Sequence, residues 1–240
     1  HNAARVYTGH SIVALGYEVG SQNVDGGGNT LIGNVAFYNH TGGASNTVIG
    51  SGSMQGDGTN KPSSSSNNTS IGVAAMKFTS GSQQSVAIGN GALAGAANNT
   101  SNYNVAIGHK AASGTTGMDN SVIIGREAAL AVQDAQDTVG IGHHALYQLT
   151  TGDYNTVVGR SAGYDITTES GNTLVGYFAG NNITAGYTTA IGYQALGAGV
   201  GSAYDVAIGF QAHYNGTGRG VFIGLQAGKA TTGTGVYIGS

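Results

Sequence analysis

The stretch TTAIGYQAL, Thr188–Leu196, decides the fold, because close copies of it recur along the whole chain. With Gly192 as position 0, Ile191 stands at position −1, Thr189 at −3 and Ala195 at +3. The same frame fits fourteen glycines: Gly16, Gly33, Gly50, Gly72, Gly89, Gly108, Gly125, Gly142, Gly159, Gly176, Gly192, Gly209, Gly224 and Gly239. Their mean spacing is (239 − 16)/13, or about 17 residues. Such a regular period predicts a repeat protein in which each copy is one structural unit.

Equivalent positions hold equivalent side chains, which predicts that the copies stack on one another. Position −3 is Val or Thr in every copy, and position −1 is always aliphatic. Side chains two residues apart share one face of a strand, and β-branched residues suit strands, so these two positions are predicted to fill the core of each coil. The expected core residues at position −1 are Ile32, Ile49, Ile71, Ile88, Ile107, Ile124, Ile141, Val158, Val175, Ile191, Ile208, Ile223 and Ile238.

The position between these two, −2, varies in size and polarity and is expected to face away from the core. Its small members, Ala87, Ala106, Ala190 and Ala207, suggest a close approach between chains. Position −4 favours Asn, and stacked asparagines are expected to form amide ladders along the coil axis.

The repeat glycine is interpreted either as a tight corner with positive φ or as a point where two backbones lie too close for a β-carbon. A second short strand is expected after it. The third residue of that strand is small in almost every copy, as at Ala36 and Ala195, and is predicted to be inward and crowded. Two short strands and a loop fill about 17 residues and leave no room for a helix.

The predicted fold is therefore an all-β parallel solenoid of about 14 short coils, with residues 1–240 forming a single repeat domain that is a piece of a longer fibre chain. One interval is 22 residues long and contains the only proline, Pro62, so a protruding loop is predicted at 55–68. This loop marks a binding side or is a tolerated surface insertion. A coil this small has a thin core, so several chains are expected to associate side by side.

Composition narrows the functional classes. Charged residues make up 8% of the chain, against about 25% in an ordinary globular domain. A net charge of −3 without a basic stripe argues against nucleic acid as a partner. The absence of cysteine removes disulfides, thiol catalysis and the usual zinc clusters. No run of eighteen apolar residues occurs, so no membrane insertion is expected within this segment.

Titratable side chains are scattered along the repeats, which predicts that the chain is not an enzyme and has no catalytic residue, cofactor or metal site. His143 and His144 are neighbours and are expected to face opposite ways on a strand, which disfavours a shared metal. Arg126, Glu127 and Arg160 are interpreted as exposed surface residues.

Threonines at position −3, such as Thr156, Thr173 and Thr189, raise the alternative of an ice-binding face. It is disfavoured because these threonines are expected to point inward with the isoleucines.

Position +1 is the best candidate for recognition, because its character changes along the chain from polar through cationic to aromatic. Tyr177, Tyr193 and Phe210 are the candidate ligand-facing residues. Their rings either stack on the sugars of a cell-surface glycan, or stabilise the shaft or the contact between chains.

The repeats VAIGNGALA, VAIGHKAAS, TAIGYQAL and VAIGFQAH resemble the head repeats of trimeric autotransporter adhesins. The forms NTVVGRSAG, TTAIGYQAL and NTLVGYFAG, separated by TTG-type loops, are even more similar to repeats of bacteriophage tail-fibre proteins. The resemblance covers nearly the whole chain and implies a left-handed parallel β-roll in a side-by-side homotrimer that forms a fibre. The period here is longer than the adhesin repeat, which favours the tail fibre.

As a tail fibre, the chain is expected to be a structural and adhesive segment of a virion, outside the cell. It would serve as a shaft or receptor-binding region, with copies of itself and a cell-surface glycan or host surface protein as partners. The alternative is the head domain of an adhesin on the bacterial cell surface that binds host matrix or other cells.

Overall fold

The regular structure of the chain consists of short parallel strands. The computed structural model describes residues 11–21, 26–56, 58, 64–78, 80–95, 99–198 and 203–239, and contains no helix within these ranges. The chain divides into two compact units, His1–Ser121 and Val122–Ser240. The first unit contains β1 (Val13–Leu15), β2 (Thr30–Ile32), β3 (Thr47–Ile49), β4 (Thr69–Ile71), β5 (Val86–Ile88) and β6 (Val105–Ile107).

The second unit contains β7 (Val122–Ile124), β8 (Val139–Ile141), β9 (Thr156–Val158), β10 (Thr173–Val175), β11 (Thr189–Ile191), β12 (Val206–Ile208), β13 (Gly220–Ile223) and β14 (Gly235–Ile238). Every one of these strands ends directly before a repeat glycine. Within each unit the strands pair in sequence order, all parallel and with equivalent residues in register. The predicted parallel β-solenoid with a period of about 17 residues is confirmed; its handedness and its association stay predictions.

The core is formed by position −2, contrary to expectation. Leu31, Val48, Ile123 and Leu174 are fully buried, whereas Ile191 is 37% exposed. The predicted core was therefore wrong: Ile32, Ile49, Ile71, Ile88, Ile107, Ile124, Ile141, Val158, Val175, Ile191, Ile208, Ile223 and Ile238 are half-buried or exposed in the chain. The interior also receives side chains from positions −4, +3 and +4, so each three-residue strand contributes only its middle side chain.

The small residues at position −2 are accounted for within a single chain. Ala87, Ala106, Ala190 and Ala207 are fully buried, so they do not mark contacts between chains. In several coils the side chains at positions −2 and +4 are complementary in size. A small residue at position −2 is combined with a large one at position +4 in the pairs Ser70 with Met76, Ala87 with Leu93 and Ala190 with Leu196. The large residue is at position −2 in the pairs Ile123 with Ala129, Leu174 with Gly180 and Phe222 with Gly228. In these coils a small side chain at one position faces a larger one at the other, whereas Leu31 and Phe37 are both large and Ala106 and Ala112 are both small.

Both interpretations of the repeat glycine are correct. Gly33 and Gly159 have φ values of 141° and 142°, which L-residues rarely adopt. A β-carbon on Gly33 would also collide with the carbonyl oxygen of Gly50 in the next coil, and the same collision recurs between Gly159 and Gly176.

The segment after the glycine is a series of turns, so the predicted second strand is wrong. Positions +2 and +4 have left-handed φ values, 58° at His144 and 55° at Leu146, which an extended strand does not contain. The segment still bonds to neighbouring coils, since His144 N donates to Arg126 O (3.1 Å) and Leu146 N donates to Ala162 O (3.0 Å). Position +3 is buried in the alanine column from Ala36 to Ala212, as predicted.

The predicted asparagine ladder is present at position −4. Asn46 donates from its backbone N (2.9 Å) and from Nδ2 (3.1 Å) to Asn29 Oδ1, and Asn68 makes the same pair of bonds to Asn46 Oδ1. In the second unit Asn172 bonds to Asn155 in this way and accepts from Thr188 N (3.0 Å). Each buried amide thus satisfies a backbone donor of the next coil.

The predicted loop at 55–68 falls largely outside the described residues, which lack 57 and 59–63. Its protrusion stays a prediction.

Candidate functional site

Each unit has an outward face, formed by the side chains at positions −3 and −1 of its strands. In the second unit this face includes Val175 (36% exposed), Ile191 (37%) and Ile223 (37%). Position −3 adds Thr156 and Thr173, both exposed. The expectation that these threonines point inward was wrong, because the strand presents its outer two residues to solvent and only the middle one to the core. The outward face is therefore apolar and β-branched, with no charged side chain at positions −3 and −1.

Aromatic residues flank the outward face in the second unit. The alternation of exposed residues continues on both sides of the strand, to position −5 at Tyr187 (62% exposed) and Tyr204 (64%) and to position +1 at Tyr193 (43%) and Phe210 (45%). In the first unit the corresponding positions are mostly Ser, Asn, Gln and Gly.

The three candidate ligand-facing rings form one stack. The ring centroids of Tyr177 and Tyr193 are 5.1 Å apart with planes at 13°, and those of Tyr193 and Phe210 are 5.1 Å apart at 7°. Arg160 Cζ lies 5.8 Å from the centroid of Tyr177. Neighbouring rings cover each other's faces, while Tyr193 and Phe210 keep close to half of their surface exposed. A sugar cannot lie flat on a covered face, so the geometry favours the interpretation that these rings stabilise the coil stack; their role toward a ligand stays a prediction.

A second aromatic stack lies at position −5 and was missed by the sequence reasoning. Tyr187 and Tyr204 have centroids 5.7 Å apart with planes at 15°, and Arg219 Cζ lies 5.4 Å from the centroid of Tyr204. The recurrence of Tyr103, Tyr154, Tyr187 and Tyr204 five residues before a repeat glycine was the available signal.

Titratable groups converge where β7, β8 and β9 end. The rings of His143 and His144 stack at 3.8 Å with planes at 25°, so the expectation that they face opposite ways was wrong. The reason is the left-handed φ of 58° at His144, which breaks the alternation of a strand. His144 Nε2 lies 2.9 Å from Glu127 Oε2, and Arg126 Nη2 donates to Glu127 Oε1 at 3.3 Å.

The electrostatics of this cluster follow from these contacts. The hydrogen bond from His144, with the charge and hydrogen bond of Arg126, lowers the pKa of Glu127. Burial lowers the pKa of His143, and the positive charges of Arg126 and Arg160 act in the same direction. Glu127 is therefore an anion shared by two neighbours. Within the described ranges, no group of three or more His, Cys, Asp or Glu side chains is arranged to hold a metal ion.

The part of the chain that the structure describes has no helix long and apolar enough to cross a membrane. Neither a family model, nor a curated protein, nor a solved structure matches the chain.

Proposed function

We propose that this chain is a segment of a homotrimeric adhesive fibre, a phage tail-fibre shaft or receptor-binding region that contacts the host cell surface. The observation that carries the proposal is the outward face: rows of β-branched and aliphatic side chains are left open to solvent along one side of each unit. Exposed apolar patches larger than a few hundred Å² are rare on monomeric proteins and mark interaction sites.

The size of the face suits self-association. Eight strands at about 4.8 Å separation extend about 34 Å in the second unit, and the five residues from position −5 to −1 extend about 13 Å, which leaves position +1 outside the contact. The product, about 440 Å², lies within the roughly 300–600 Å² of the largest, often functional, apolar patch on a monomer. An identical copy of the chain carries the same apolar rows and is therefore a suitable partner for this face. The number of three chains follows from the resemblance of the repeats to those of trimeric fibres.

Mass in solution tests the association. A trimer of this 23.8-kDa chain has a mass of 3 × 23.8, or about 71 kDa, by light scattering after gel filtration. Val175→Lys combined with Ile191→Lys places charges in the middle of the face and is expected to give monomers, since unpaired buried charges are strongly unfavourable. Thr184→Lys combined with Asn182→Lys, at exposed loop positions, is the matched control and is expected to remain trimeric.

Binding of the labelled protein to a panel of bacterial cells tests the adhesive part. The trimer is expected to bind cells of its host, and the monomeric variant is expected to bind at least tenfold more weakly because multivalency is lost. A monomeric wild-type protein would overturn the trimer. If the wild-type protein is folded by circular dichroism but binds no cells in the panel, the proposed contact with a host surface is wrong.

A further inference from the structure

The best candidate for a specific ligand contact lies at position +1 of the first coils of the second unit. Arg126, His143 and Arg160 occupy this position in three consecutive coils. Both arginines are exposed, and the charges of both act on the His143 ring that lies between them. With strands about 4.8 Å apart, the backbones of the two arginines are about 10 Å apart.

The positive charge of this column is only partly neutralised. Glu127 bonds both to Arg126 and to His144, and the Arg126 side chain is still 63% exposed. Arg160 forms no ion pair with any residue that the structure describes and lies against the ring of Tyr177. The two arginines and one glutamate give a local formal charge of +1 in a chain whose net charge is −3.

We propose that Arg126 and Arg160 bind the acid groups of an acidic polysaccharide, with the chain of sugars continuing along Tyr177, Tyr193 and Phe210. Guanidinium groups bind carboxylates and sulfates through paired hydrogen bonds. The hydroxyls of the two tyrosines offer hydrogen-bond partners to sugar hydroxyls, which does not require the covered ring faces.

The spacing favours a sparsely charged polymer over a densely charged one. Two cations about 10 Å apart, followed by an uncharged aromatic row, suit a polysaccharide in which acidic sugars alternate with neutral ones. A nucleic acid has a phosphate at every nucleotide and requires a broad basic surface, which this acidic chain lacks. The inference rests on the proposed contact with a host surface and names the class of ligand for it.

Calorimetric titration with hyaluronate, in which a uronic acid alternates with a neutral amino sugar, tests the site, with uncharged dextran as the control polymer. Arg126→Gln combined with Arg160→Gln is expected to weaken hyaluronate binding at least tenfold. Arg219→Gln combined with Lys229→Gln removes the same charge elsewhere in this unit and is expected to change the affinity less than twofold. Arg160→Glu alone is expected to lose at least tenfold and leaves the Arg126–Glu127 contact intact.

Equal losses in the two double variants would overturn the site, because binding would then follow net charge alone. Equal binding of dextran, or no binding of hyaluronate by the wild-type protein, would also overturn it. If the wild-type protein binds host cells but not hyaluronate, the acidic-ligand site is wrong while the adhesive function stands. If it binds neither, both proposals fail.

Discussion

The side chain of Leu146 fills the space that a side chain on Gly140 would need. A β-carbon built on Gly140 would lie 3.1 Å from Leu146 Cδ1 and 3.2 Å from Ile123 Cδ1. The two residues are positions −2 and +4 of one coil; three pairs in other coils have the same order of a small and then a large residue, and three have the reverse order. Volume within a coil is thus shared between a strand residue and a turn residue.

We expect Gly140→Leu to destabilise the protein by about 1–3 kcal/mol through overpacking against Leu146. Leu146→Gly alone is expected to cost about 2–5 kcal/mol through the cavity it leaves. The double variant exchanges the two sizes, as Leu174 and Gly180 already do two coils away, and is expected to be at least 1 kcal/mol more stable than the sum of the single effects. Urea unfolding of all four proteins measures the coupling; strict additivity would contradict shared packing.

Gly180→Ala and Gly52→Ala separate packing from backbone strain. Both glycines have left-handed φ values, 58° and 63°. A β-carbon on Gly180 would lie 2.5 Å from Leu174 Cδ2, whereas on Gly52 it would lie 3.4 Å from Gln55 Oε1, the end of a flexible side chain. We expect a loss of about 1 kcal/mol for Gly52→Ala and about 3 kcal/mol for Gly180→Ala. Similar unfolding free energies for the two variants would show that backbone strain alone determines the loss of stability.

Asn172→Ala removes one rung of the asparagine ladder. It deletes the bond from Nδ2 to Asn155 Oδ1 (2.9 Å) and leaves the N–H of Thr188, which donates to Asn172 Oδ1, without this acceptor. A loss of about 2–4 kcal/mol is expected, because a buried donor loses this acceptor and the ladder loses one of its amides. Asn182→Ala, at an exposed position, is the control and should change the unfolding free energy by less than about 0.5 kcal/mol. A loss at Asn172 no larger than the control would rule out a structural ladder.

Acid is expected to destabilise the first unit through His40. Its ring is fully buried, stacks on Phe37 at 4.2 Å, and burial lowers its pKa to about 4. A histidine with a lowered folded pKa contributes full stability above the unfolded pKa of about 6.5, and this contribution is lost as pH falls toward 4, to a limit of about 3 kcal/mol. His40→Leu is expected to reduce the difference in unfolding free energy between pH 7.5 and pH 4.5. An unchanged difference would place the acid sensitivity elsewhere, with His213, whose pKa burial also lowers, as the next residue to replace.

The repeat pattern alone was enough to locate the strand before each repeat glycine, although not the turns after it. All fourteen strands end at the residue before a repeat glycine, because only glycine tolerates both the φ near 140° at Gly33 and the close carbonyl of Gly50. The asparagine ladder followed from the same register, since parallel in-register strands place identical residues one above another. These features depend on local chemistry repeated at a constant spacing.

The three-dimensional structure of the closed coil determines which face of each strand points inward. Alternation shows that Thr189 and Ile191 share a face, but both faces of this strand carry apolar residues, so periodicity cannot choose between them. Ala195 and Leu196 fold back into the interior from turns with left-handed backbone angles. The space that remains there is filled by the middle residue of the strand, Ala190. Those angles are stabilised by hydrogen bonds between coils, which no local propensity reveals. They turn the isoleucine row outward and, in Tyr193, direct the ring onto its neighbours along the stack.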